Sequence, residues 1–138
     1  MTTHILAISY KPKEEAVRTG ACRQTIRPIS EAPRAKPRRV DDDALLHGWK
    51  GVPYYSKWSW RRRDPLTEVN PIEVSEAGIQ RQKRVDENYC MLHPWDGPYA
   101  DALASLDFIS PPTGLELFKV LSHFHNISEP LNMEILRW

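Results

Sequence analysis

Cys22-Arg23-Gln24-Thr25-Ile26-Arg27-Pro28 is the stretch on which the reading of this chain turns. Across residues 23–29, Gln24, Ile26 and Pro28 alternate with Thr25, Arg27 and Ile29, the period of an extended strand that shows polar groups on one face. Upstream, residues 4–10 (HILAISY) have the apolar, β-branched character of a first strand. Between the two, residues 11–19 place Pro12 where a first helical turn tolerates it, Glu14 and Glu15 near the positive end of the helix, and Gly20 just past its stop. The beginning of the chain therefore reads strand, short helix, polar strand.

Downstream, residues 30–39 (SEAPRAKPRR) combine two prolines with four basic side chains, and no periodic core face can be drawn through them, which predicts a basic loop. Residues 44–49 and 54–60 read as strands around the Gly51-Val52-Pro53 turn, and residues 66–74 as another, weakened at Pro71. Residues 78–98 are polar and without a period, and read as a long excursion. Helices are expected over residues 99–106 and, with Thr113 near the cap and Leu115, Phe118 and Leu121 on one face, over residues 113–125. Residues 131–138 supply a closing strand. The length of 138 residues with 41% hydrophobic content predicts one domain, residues 1–138, large enough for its own core.

The net charge of +1 conceals an asymmetry, since residues 1–63 sum to +8 and residues 64–138 to −7. Local potential, not net charge, draws in a polyanion, so a near-neutral balance leaves phosphate binding by the basic half open, alongside the simpler reading of two solvated, mutually packed halves. No run approaches the roughly 18–20 apolar residues of a membrane span. Two cysteines, Cys22 and Cys90, are too few for a disulfide framework and fit a reducing, cytoplasmic setting. Cys90 and His93 have ligand-like spacing and His123 and His125 add two imidazoles, but a zinc site needs about four convergent ligands; no metal and no cofactor is expected.

The order of strand, helix ending at Gly20 and Arg23-Gln24-Thr25-Ile26-Arg27 resembles the opening of ASCH domains, whose pattern is a helix, Gly-x-Lys-Thr and Thr-Ile-Arg. Ala104-Ser105-Leu106-Asp107-Phe108 is similar to the Ala-x-x-Asp-Gly-Phe signature of that family, Glu116-Leu117 and Ile135-Leu136-Arg137-Trp138 fall where it has matching features, and residues 46–63 resemble an archaeal and phage-type variant. The resemblance implies an α+β chain built on a small PUA-like β-barrel of five or six mixed strands flanked by two or three short helices, with a ligand cleft beside the first helix. It also implies chemistry. The enzymatic branch, an amidohydrolase acting on N4-acetylcytidine, works with a lysine, a threonine and an acidic residue. Thr25 and Asp107 are the matching catalytic candidates, whereas Cys22 stands where the lysine is expected, and a thiol with a reference pKa of about 8.5 does not replace an ammonium.

Nucleic-acid binding is the first functional expectation, with RNA or a nucleotide-like ligand as the partner. Aromatic and basic residues interleave from Trp49 to Arg63, a combination that stacks bases and neutralises phosphates, and Arg23, Arg27, Trp49, Lys57 and Arg61 are the candidate contacts. Strand alternation puts Tyr54, Ser56, Trp58, Trp60 and Arg62 on one face and Tyr55, Lys57, Ser59 and Arg61 on the other. A tryptophan pair on one strand face is more often core than base platform, so that face also reads as core packing. The alternatives are a hydrolase of a modified nucleoside or RNA, including a ribonuclease, and a protein-interaction domain of a coactivator type.

Overall fold

A computed structural model describes residues 2–52, 56–81 and 91–138. Its elements follow the order β1 (Thr3–Ala7), α1 (Lys11–Thr19), β2 (Gln24–Pro28), β3 (Asp43–Trp49), β4 (Trp58–Pro65), β5 (Glu68–Ser75), β6 (Gly78–Arg81), β7 (Leu92–His93), α2 (Pro98–Leu106), α3 (Gly114–Phe124) and β8 (Leu131–Arg137). The class is α+β, as the sequence predicts. The strands form two sheets, one ordered β1-β3-β4 and the other β2-β8-β5-β6-β7, and the described residues do not close them into one barrel. Among the described residues only β1 and β3 run parallel, and the other pairings are antiparallel.

The sheets meet at a corner between β4 and β5. There the Leu66 backbone exchanges hydrogen bonds with Asp41 and Asp42, while the Thr67 N–H donates to the Arg137 carbonyl at 2.8 Å. One short corner thus ties the three-stranded sheet to β8 of the other, and its fully buried Leu66 fixes the join. Two cores result. Leu6, Ile8, Ala44, Leu46, Leu66, Leu136 and Trp138 enclose Val17 and Cys22 at α1, and Ile26, Ile72, Val74, Met133 and Ile135 pack under α2 and α3.

Helix boundaries agree with the sequence reading because local chemistry sets them. Pro12 sits in the first turn of α1, and Gly20 adopts φ +88° and returns its N–H to the Val17 carbonyl. The Thr113 hydroxyl accepts from the Glu116 N–H to cap α3. Residues 78–98, expected as a wholly irregular excursion, instead add β6 and β7 to the larger sheet, with Ile79 opposite Val74 in the core and Trp95 buried beneath α3. The expected strand over residues 54–60 begins at Trp58; Tyr54 and Tyr55 lie outside the described residues, as does Cys90. No helix among the described residues is long and apolar enough to cross a membrane.

The expected alternation from Trp49 to Arg63 fails at one point. Between Gly48 and Trp49 the register of β3 on β4 shifts, so Gly48 faces Trp60 whereas Trp49 faces Trp58. The extra residue turns Trp58 to the face that carries His47 and Arg61, while Trp60 turns toward α1 and donates its indole N–H to Glu14 at 3.0 Å. Trp58 and Trp60 therefore do not share a face.

Candidate functional site

Three elements meet at the N-terminal half of α1: α1 itself, β2 and the end of α2. Lys13 and Val17 are one helical turn apart and point the same way, Val17 into the core and Lys13 toward β2. Thr25 lies in β2, anchored opposite Leu136 of β8. Asp107 terminates α2, its N–H bonded to the Leu103 carbonyl. The Lys13 Nζ donates to Asp107 Oδ1 at 3.0 Å, to the Gln24 carbonyl at 3.3 Å and to Thr25 Oγ1 at 3.4 Å. An ammonium has three donors, and here three acceptors meet them. All three side chains are buried: Lys13, Thr25 and Asp107 are 4%, 4% and 5% exposed.

Such a cluster is costly to assemble unless each charge is paired and hydrogen-bonded. Burial pushes the Asp107 carboxyl above its ordinary value, against the opposing pull of the Lys13 ammonium, its hydrogen bonds and the more distant Arg27. Arg27, also on β2, directs Nε toward Thr25 Oγ1 at 3.5 Å and donates from Nη2 to the Ala7 carbonyl, which ties β2 to the edge of β1. Thr25 thus lies between two cationic side chains.

The trio opens into a cavity of about 620 Å³, within the usual size range for small-molecule sites. Ala7 to Tyr10 form one wall, Arg27 and Arg38 another, and Phe124 and His125 from the end of α3 the rim. Burial and the positive charge of Arg27 hold the His125 imidazole below its usual pKa, so it stands at the rim as a neutral ring. Arg38, from the basic loop, is held by buried Glu134 at 2.7 Å and also donates to the Pro28 carbonyl.

Thr25, Asp107 and Arg27 are thus brought together as the sequence reading expects. Cys22 is not at the cavity: its thiol is buried and directed at the Gln24 and Leu106 carbonyls, and desolvation raises its pKa. The cation beside Thr25 and Asp107 comes from Lys13, which the motif comparison overlooked. Lysine on the apolar stripe of a short helix, one turn before Val17, was the available signal.

The other candidates are dispersed. Arg23 donates to the Trp138 carbonyl at 2.7 Å and does not line the cavity. Trp49 is 9% exposed and packs edge-on against His47 and Trp58, which makes it part of an aromatic cluster and not an open stacking platform. Lys57 and Arg61 are exposed, the Arg61 guanidinium lying 3.7 Å over the Trp58 ring. His123 and His125 lie at the end of α3, and no group of three metal-ligating side chains occurs among the described residues. No family model matches this chain, and it has no significant match among curated proteins or solved structures.

Proposed function

We propose that the chain is an ASCH-type, PUA-like domain whose two sheets are a split form of the barrel, and that its cavity hydrolyses the acyl amide of an N4-acylated cytosine. The observation that carries this reading is the meeting of Lys13, Thr25 and Asp107 in one buried hydrogen-bonded group. The sequence resemblance asks for a lysine, a threonine and an acid; Lys13 supplies the member that position 22 lacks.

The chemistry follows from the geometry. Moving one proton from Lys13 to Asp107 leaves the net charge of the pair unchanged, and the desolvation that raises the Asp107 carboxyl favours that transfer. The neutral Lys13 amine then accepts the Thr25 hydroxyl proton as the Thr25 oxygen attacks the acyl carbonyl carbon. Arg27, beside Thr25, offers N–H groups to the oxyanion that forms. Collapse breaks the C–N bond, the base nitrogen takes the proton held by Lys13, and cytosine leaves. Water then attacks the acyl-threonine, its proton passing through Lys13, and releases the carboxylic acid and free Thr25. Water is the only co-reactant.

Pure nucleic-acid binding would not call for a lysine, a carboxylate and a threonine withdrawn together from solvent, so hydrolysis accounts for more of the cavity. The test is incubation with N4-acetylcytidine, followed by chromatography of cytidine and acetate, with Lys13→Met, Thr25→Ala and Asp107→Asn as variants. Turnover lost in each folded variant supports the proposal; a folded parent protein that leaves the nucleoside intact overturns it.

A further inference from the structure

Among the described residues, two groups of cations stand apart. Arg38, Arg62 and Arg63 are held by Glu134, Asp64 and Asp43. By contrast, Arg34, Lys36 and Arg39 in the basic loop, and Lys50, Lys57 and Arg61 at the β3–β4 end, form no ion pair among the described residues and are exposed. Neither unpaired group lines the candidate cavity, but each lies on an element that leads to it. The basic loop reaches it through Ser30 and Arg38. On the other side of the wall, Ala7 of the cavity pairs in register with His47, and His47 with Arg61. Two strand spacings, about 10 Å, therefore separate Ala7 from Arg61.

What lies at that end is a built surface. Arg61 is stacked on Trp58, which packs against buried His47 at 4.3 Å and Trp49 at 6.4 Å. The Trp58 ring backs the exposed Arg61 guanidinium, and a guanidinium so placed offers a planar cation on which a nucleobase can stack. His47 is 2% exposed and its Nδ1 has no hydrogen-bond partner among the described residues; burial and the positive charges of Arg61 and Arg27 keep the ring below its usual pKa. Lys57 and Lys50 supply charge alongside. The combination is one stacking plane with uncompensated cations around it and no unpaired acid among the described residues of that strip.

We propose that this shelf holds the nucleotide flanking the reacting base, so that the substrate of the cavity is a residue within a single-stranded nucleic acid and not only a free nucleoside. The inference rests on the cavity being the seat of the reacting base. The base next to it stacks on Arg61, while phosphates lie along Lys57 and Lys50 on one side and the basic loop on the other. An acidic peptide could use the same charges, but it has no use for a stacking cation backed by tryptophan.

The test is fluorescence anisotropy of a labelled pyrimidine-rich single-stranded RNA, with the DNA of the same sequence and a duplex as further arms, at increasing salt. The expected result is binding of single strands that weakens with salt, and at least about a tenfold loss of affinity in Arg61→Glu and in Lys57→Glu, with a salt slope shallower by about 0.7 for each cation removed. Both residues are exposed, and thermal unfolding verifies that the variants fold. Binding of RNA, of DNA or of both supports the shelf, and the preference identifies the sugar it reads. Undetectable or salt-independent binding, preference for the duplex, or equal affinity in the variants overturns it. Turnover of free N4-acetylcytidine by the same preparation reads the cavity separately: turnover without strand binding overturns the shelf alone, and strand binding without turnover overturns the hydrolase reading alone.

Discussion

Replacing Lys13 by methionine isolates the buried ion pair with the least change of shape. Lys13 and Asp107 lie 3.0 Å apart, with side chains 5% and 8% exposed. At an effective dielectric of about 20, their attraction is on the order of 5 kcal/mol, and removing one partner of a buried pair costs roughly 3–5 kcal/mol because the survivor is left desolvated. Against a total stability of about 5–15 kcal/mol for a domain of this size, Lys13→Met should shift the urea midpoint far enough to be unmistakable. Asp107→Leu should do the same. The double variant, which buries no charge, should recover most of the loss and can match the parent protein, giving a coupling energy of several kcal/mol in the cycle. All of these variants should be inactive, so stability and activity separate in the double variant. Single substitutions costing less than about 1 kcal/mol, or losses that simply add in the double variant, would show that the pair is neither buried nor coupled.

Two further expectations concern pH. Because burial raises the Asp107 carboxyl, the second proton that disables the Lys13–Asp107 pair binds at a higher pH than an ordinary carboxylate allows, and kcat/KM should fall on acidification with a midpoint above about 4; a limb at or below that value would contradict the desolvated placement. His47 behaves in the opposite sense: its folded-state pKa is depressed, so the unfolded chain takes up the proton first as pH falls below about 6.5, and the stability present above that value is lost until the folded-state pKa is passed. His47→Phe, which also removes an unpartnered buried nitrogen, should therefore lose less Tm than the parent between pH of about 7 and about 5, and parallel Tm curves would refute this.

The parts of the fold legible in the sequence are those with local causes. Pro12 and Gly20 bound α1, Thr113 caps α3, and the alternation around Thr25 marks β2 because these signals act within one turn or one strand. The strands β6 and β7 were not legible, since four and two residues exist as strands only through pairing with β5 and with each other. The shift at Gly48 and Trp49 was equally hidden, for a bulge is a property of two paired strands, and its effect was to put Trp58 and Trp60 on opposite faces.

The site divides along the same line. Thr25 and Asp107 stood in motifs and lie together in the structure; Lys13 was not singled out, because its closeness to Asp107 spans 94 positions and depends on the tertiary fold. Its one local trace was a charge in line with Val17. Burial of that charge had to be matched by a carboxylate, and the one that meets it is Asp107 at the end of α2.

The most direct test of the account is the fate of N4-acetylcytidine mixed with the purified protein and, in parallel, with Thr25→Ala. The account predicts conversion to cytidine and acetate by the parent protein and a loss of at least about a hundredfold in the variant. Intact nucleoside after incubation with folded parent protein, or equal conversion by Thr25→Ala, would contradict it.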